Sequence, residues 1–238
     1  MIDRWTRRAL AALLVVGAIS LAPPAFARKA QPYLAPGALD LIALLPPPPA
    51  PDSALTHAEI AELEALRSLV SAARKQQAIE DEQRSYQRFV ATTSLAAADP
   101  AKLPLTVALV ARLLDTTDQA ITPAKSFFKR PRPPIEDPAF TALAPLPKTR
   151  AYPSGHATFA TAVAIVLSDL VPEKRAELMA RATDFAESRL ILGLHHPSDI
   201  GAGYSSGALV ATKLLADPGF RADAAAARAE LRAALGLP

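Results

Sequence analysis

The chain has no cysteine in its 238 residues. That absence removes a disulfide framework, a thiolate metal site and a lipid-anchored N-terminal cysteine, so a fold of this length must rest on its apolar core. Nor is there an alternating apolar–polar run long enough to require a strand, or an internal repeat; helical periodicity alone predicts an all-α fold. Histidine is scarce, at four residues, so few arrangements of general bases or imidazole ligands are open. Half of the residues are hydrophobic, enough for one domain with a substantial core, or a domain plus an arm.

Residues 1–27 read as a secretory signal: Arg4, Arg7 and Arg8 form a basic start, Ala9 to Ala22 an apolar run, and Ala25-Phe26-Ala27 a small-x-small cleavage site. Cleavage after Ala27 leaves Arg28 as the mature N-terminus. A retained membrane anchor is the competing reading, but the run is short for a spanning helix and Pro23-Pro24 end it. The signal carries three arginines and one aspartate, a net +2 of the formal +3, so the chain from Arg28 onward stands at +1. A general nucleic-acid or anionic-membrane surface has little support at that charge, and the basic residues that matter must be local.

Residues 28–53 are rich in proline, with Pro46 to Pro49 in a run that fixes polyproline II geometry. Leu34, Leu39, Leu41, Ile42, Leu44 and Leu45 make this segment too apolar for a solvated tether, which predicts an arm packed along the domain or along a neighbouring subunit. From residue 54 to 238 the pattern is helical. Thr56 with Glu59 reads as a capping box opening a long amphipathic helix to about Val90, with His57 exposed in its first turn. A second helix is predicted from Pro104 to Ile121, ended by Pro123. Ala157 to Leu170 is nearly all apolar and too short to span a bilayer, hence a buried central helix. Pro172 opens a helix that carries Glu177, Arg181 and Asp184 outward and ends near Leu194. Ser198 caps the next, Asp199 to Leu215, and Asp217-Pro218 starts a last, alanine-rich one.

Three stretches carry chemistry. In Ser188 to Asp199, SRLILGLHHPSD, Arg189 offers a permanent planar cation, and Asp199 lies four residues beyond His195, close enough to accept its Nδ1 proton and leave Nε2 free. Alone, this segment reads equally well as a structural ion pair beside a helix cap. KSFFKRPRP places Lys125 and Arg132 between proline breaks, which alone reads as a solvated loop. Tyr152-Pro153-Ser154-Gly155-His156 stands directly before the apolar helix, where a hydroxyl and backbone amides form an anion cradle; alone, it is an ordinary N-cap.

Together, Lys-x6-Arg-Pro, Pro-Ser-Gly-His and Ser-Arg-x5-His-x3-Asp occur in order and resemble the tripartite signature of the type 2 phosphatidic acid phosphatase (PAP2) superfamily, which includes vanadium-dependent haloperoxidases. Within it the chain is similar to bacterial class A non-specific acid phosphatases, including the export signal and the Tyr33-Leu34 and Leu44-Leu45-Pro46-Pro47-Pro48-Pro49 arm. His196-Pro197 replaces an aromatic-polar pair of that class, and the segment between Arg132 and Pro153 is differently composed. The resemblance implies a single-domain helical bundle with an extended N-terminal arm, exported to the periplasm. It implies that Lys125, Arg132 and Arg189, with Ser154 and the Gly155 amide, hold phosphate oxygens. His195 then attacks phosphorus, Asp199 fixes its tautomer, and His156 protonates the leaving oxygen. Phosphomonoester hydrolysis, with phosphotransfer as a companion activity, is the expected outcome.

No cofactor or metal is expected, with vanadate an inhibitor. The partners are small phosphate esters, without a nucleic-acid polymer, without a membrane once the signal is cleaved, and with a homo-oligomer left open. His196 is expected at the pocket rim or as a helix cap. A metal site built on His156, His195, His196 and Asp199 is disfavoured because Lys125 and the two arginines repel a divalent cation. The rivals are a vanadium haloperoxidase, a lipid or pyrophosphate phosphatase, and a non-catalytic phosphate-binding protein.

Overall fold

A computed structural model describes residues 31–238; the expected signal and cleavage site lie outside the described residues. The regular structure of the described residues is all helical, without a strand, and none of these helices is long and apolar enough to cross a membrane. Its centre is α7 (Gly155–Leu170), on which Ala157 to Ala164 are all buried. It packs most extensively against α8 (Arg175–Ile191) and α9 (Pro197–Ala216), while α5 (Pro104–Phe128) and α10 (Pro218–Ala234) cover its remaining sides. Such an apolar helix is stable in water only when enclosed in this way. At its core, Phe159 meets Phe89 edge-on and Phe185 at a tilt.

Two glycines set the closeness of the α7–α9 contact. A Cβ on Gly203 would lie 2.6 Å from the Ala157 Cβ and 2.8 Å from the Ser154 carbonyl oxygen, and one on Gly207 2.5 Å from the Thr158 carbonyl oxygen. Each glycine costs about 1 kcal/mol of helix propensity relative to alanine. That cost is offset by letting α9 press its N-terminal half directly against the start of α7.

The proline-rich arm packs along the domain. Tyr33 stacks edge-on against Phe220, and the short helix α1 (Leu41–Leu44) buries Leu41 together with Leu45, Ile121 and Tyr152.

Several local expectations are corrected. The long helix expected from Thr56 to Val90 is three: α2 (Ala54–Leu69), α3 (Ala72–Glu80) and α4 (Tyr86–Val90), each capped by a serine, Ser53, Ser71 and Ser85. Ser53 caps in place of Thr56, and Glu59 turns away from its helix end to a buried arginine. Pro123 does not end α5, which runs on to Phe128 and stops where Lys129 takes a left-handed conformation, φ 52°; burial of Ile121 and Ala124 on either side holds the helix through the proline. Arg181 points inward, paired with Asp81 and Asp184. His196, rather than Ser198, occupies the N-cap of α9.

Candidate active site

The three stretches converge. Lys125 comes from the last turns of α5, and Arg132 from the residue before the short α6 (Pro133–Glu136). Gly155 and His156 open α7, Arg189 lies near the end of α8, and His195 sits in the turn between α8 and α9. These residues line one cleft of about 240 Å³, with Arg84, Asp118 and Thr149 among its other walls. Ser154 and Asp199 stand behind the wall, fully buried. Ser154 caps α7, its hydroxyl accepting from the Ala157 amide, and its own amide donates to the Asp199 carbonyl at 3.0 Å, which ties the starts of α7 and α9 together.

The turn that presents His195 depends on Gly193, at φ 70°, after which the Leu194 amide returns to the Arg189 carbonyl at 3.0 Å. A Cβ there would lie 2.7 Å from the Phe140 ring as well as in a strained conformation. His195 is 2% exposed, with Nδ1 3.3 Å from Asp199 Oδ2. A carboxylate only accepts, so Nδ1 carries the proton and Nε2 keeps its lone pair. Arg132 Nη1 lies 3.2 Å from that Nε2 and also donates to the Leu194 carbonyl at 2.6 Å. Lys125 donates to the Arg150 carbonyl at 2.7 Å. Arg189 is 1% exposed and reaches one carboxylate, Glu82, at 3.3 Å, while its Nε is buried without a partner. His156 stacks on Phe185, and its Nε2 lies 3.1 Å from the Glu82 carbonyl. Since a carbonyl only accepts, Nε2 holds a proton and Nδ1 is left for proton exchange.

Asp199 is the hub behind His195. Its Oδ2 also accepts from the His196 amide at 2.9 Å and faces the His196 Nδ1 at 3.3 Å, and its Oδ1 accepts from Arg130 at 2.8 Å. Arg130 continues to Glu59 at 2.7 Å, and Glu59 accepts from the Ser198 amide at 2.7 Å, so a residue of α2 caps α9. His196 is fully buried between Asp199 and Glu136, whose Oε2 lies 2.6 Å from Nε2; the pocket-rim alternative for this residue does not hold. His57 is exposed, as expected.

The sequence pattern of the PAP2 superfamily matches residues 102–221. The chain belongs to the PAP2 superfamily. It is 34% identical over 198 residues to a non-specific acid phosphatase of Providencia stuartii, covering 77% of each chain. It is 38% identical over 142 residues to an acid phosphatase of Zymomonas mobilis, covering 57% of this chain and 53% of the relative. Against the non-specific acid phosphatase of Salmonella typhimurium it is 42% identical over 86 residues, 36% of this chain and 34% of that one. The chain thus spans about half and a third of the last two relatives. A bacterial vanadium-dependent iodoperoxidase shares the fold at a TM-score of 0.55, with 19% identity over 72% of this chain and 52% of that one.

In the PAP2 cleft the electrostatics favour an anion. Burial, and next the neighbouring Arg132, push Lys125 down to about 7. Burial and then Arg189 push Arg132 down to about 10. Burial lowers His195 well below the ordinary histidine range, against the pull of Asp199, so the imidazole is neutral at mildly acid pH. His156 is also held well below that range, by burial and then by Arg189 and Arg84. Burial raises Asp199, but the hydrogen bonds from His195 and His196 and the charge of Arg130 outweigh it and hold the carboxyl well below its usual value. Among the described residues no group of three or more histidines and carboxylates is placed to hold a metal ion.

Sequence reasoning missed Arg84, Glu82, Arg130 and Asp118. Arg84 forms a bidentate pair with Asp118 at 2.6 and 2.9 Å on the cleft wall. Arg84 and Glu82 belong to the turn between α3 and α4, which an unbroken helix conceals. The one available sign was Ser85, a cap residue within the helical pattern.

Proposed function

We propose that this chain is an exported, periplasmic acid phosphatase that hydrolyses soluble phosphate monoesters through a phosphohistidine, with phosphotransfer to alcohols as a companion activity. The observation that carries this reading is the convergence of Lys125, Arg132 and Arg189 on a neutral His195 whose proton is committed to Asp199. Similarity to the Providencia acid phosphatase over 77% of each chain supports it.

A phosphate monoester spreads its charge over the non-bridging oxygens, where fixed cations and the Gly155 amide at the start of α7 stabilise it without solvent reorganisation. Arg132 transfers its hydrogen bond from His195 Nε2 to a phosphoryl oxygen, which frees the lone pair. Nε2 attacks phosphorus, the N–P bond forms and the P–O bond breaks, and the departing oxygen takes a proton from His156. Water then attacks the phosphohistidine and gives its proton to His156, and the N–P bond breaks to release phosphate. An alcohol in place of water completes phosphotransfer. Burial, and then Arg189 and Arg84, hold His156 neutral; a bound phosphate dianion counters the field of those two cations, so substrate and proton arrive together. No cofactor enters this scheme, and the cationic field disfavours a divalent metal.

The test is His195→Ala. Turnover of p-nitrophenyl phosphate should fall at least about 10³-fold, acid-quenched wild type should contain phosphohistidine that the variant lacks, and vanadate should still bind the variant, because the cations remain. Substantial residual turnover sinks the assignment. Wild-type activity lost in chelator and restored by a divalent metal sinks the metal-free scheme. Halide oxidation by the vanadate-loaded protein, without phosphatase activity, replaces this reading with a haloperoxidase.

A further inference from the structure

The segment from Ala142 to Arg150 separates the active-site cleft from a second cleft of equal size, about 240 Å³, and Arg132, Pro147 and Thr149 line both. The segment is not a loose flap. Leu143 donates its amide to the Leu192 carbonyl at 2.9 Å, Ala151 donates to the Arg130 carbonyl at 3.1 Å, and Arg67 holds the Thr141 carbonyl at 2.7 Å.

The second cleft is lined by Arg130, Arg132, Lys148 and Arg150 and by no carboxylate residue, and of these four only Lys148 and Arg150 offer free cations, since Arg130 is paired with Glu59 and Asp199 and Arg132 faces His195. Lys148 and Arg150 are exposed, and neither side chain has a hydrogen bond or ion pair among the described residues. Arg130 is 2% exposed, and its Nε has no partner although both terminal nitrogens are engaged. Beside these charges Ile135 and Leu146 leave apolar surface in solvent, 62% and 39% exposed. Unpaired cations next to exposed apolar side chains match a ligand with an anionic group on a ring or carbon skeleton. The mechanism proposed above uses only Arg132 of these residues.

We propose that this second cleft is a leaving-group subsite for a second phosphate, which makes phosphorylated alcohols, such as nucleoside and sugar bisphosphates, the preferred substrate class; the proposal rests on the phosphatase reading. With the scissile phosphoryl group held at Arg132 from one side of the segment, the remaining phosphate meets Lys148 and Arg150 on the other, and the ring lies over Leu146 and Ile135. The contribution is electrostatic and near the surface, so the preference weakens as salt rises.

The experiment compares kcat/KM for adenosine 3′,5′-bisphosphate, adenosine 5′-monophosphate and p-nitrophenyl phosphate in wild type and in Lys148→Ala/Arg150→Ala. The double variant keeps the Arg150 carbonyl that Lys125 uses. Wild type should prefer the bisphosphate at least about tenfold at low salt. The variant should fall to the statistical factor of about two for two equivalent phosphates, with p-nitrophenyl phosphate unchanged. A wild type without preference, or a variant that retains it, overturns the subsite while leaving the phosphatase reading intact. Partial, noncompetitive inhibition of p-nitrophenyl phosphate turnover by inorganic phosphate, abolished in the variant, would overturn it in favour of a free-phosphate site. Wild type inactive on all three substrates removes the phosphatase reading itself.

Discussion

At the scale of single residues, the cleft holds one titration near neutrality and another on its acid side. Lys125 is charged below about 7 and neutral above it, and its charge helps to hold phosphate, so kcat/KM of the free enzyme should fall as pH rises through about 7. On the acid side His195 must be neutral to attack. Its lowered pKa keeps it so below the ordinary histidine value, so turnover should persist in mildly acid solution. Lys125→Arg should move the alkaline limb upward, whatever it does to the maximum, because a guanidinium stays charged there. An unmoved limb would mean that another group sets it. His156 makes a different claim. Its Nε2 is committed to the Glu82 carbonyl and its ring lines the cleft, so as general acid it should matter most for poor leaving groups. His156→Ala should lower kcat/KM for alkyl phosphates on the order of 10²- to 10⁴-fold and for activated aryl phosphates far less. Equal losses on both would make His156 a binding residue only.

At the scale of elements, the site exists because α7 and α9 start side by side. Ser154 ties the two starts by its amide, Gly203 and Gly207 remove the side chains that would separate them, and Glu59 of α2 caps α9. Gly207→Ala inserts a methyl where the Thr158 carbonyl oxygen and Thr161 Cβ lie within 2.5 and 2.7 Å. Despite alanine's better helix propensity, this variant should lose about 1–3 kcal/mol of stability in denaturant unfolding, the usual cost of overpacking. Stability equal to or above wild type would show that the helices can part. The turn after α3 is braced in the same manner. Asp81, fully buried, accepts from Arg181, Arg88 and Ser188 at 2.5, 2.6 and 2.7 Å. Glu82, next in the chain, meets Arg189 with its carboxylate and His156 with its backbone carbonyl.

For the whole molecule, the buried chain Glu136–His196–Asp199 links stability to pH. Burial lowers the His196 pKa, but the hydrogen bonds to Asp199 and then Glu136 outweigh it, and the net shift is upward. A raised pKa means that the folded state binds the proton more tightly than the unfolded one. Its stabilisation is therefore complete below the unfolded histidine value of about 6.5 and is lost as pH rises through the folded value. The Tm advantage of wild type over His196→Gln should accordingly be larger near pH about 6 than near about 9. A constant difference across that range would show that His196 contributes by packing alone.

What the sequence determined by itself is the part that depends on local order. Helical periodicity and the absence of alternating runs settle the all-α class, the apolar stretch before Leu170 settles the central helix, and three short motifs name the cleft residues Lys125, Arg132, Gly155, His156, Arg189 and His195. Spacing also puts Asp199 within reach of His195, since four residues across a helix start is a local distance. Only the tertiary structure decided the rest. Glu59 reads as a cap of its own helix until Arg130 and the Ser198 amide, far along the chain, offer its carboxylate stronger partners. Arg181 reads as a surface residue until Asp81 supplies a buried countercharge. Pro123 reads as a helix end until packing on both sides of it outweighs the lost hydrogen bond. His196 is drawn inside by two carboxylates, one of them 60 residues earlier in the chain. Periodicity records which face of a segment is apolar; it holds no information on which distant charge will meet a polar side chain, and those meetings hold this cleft in shape.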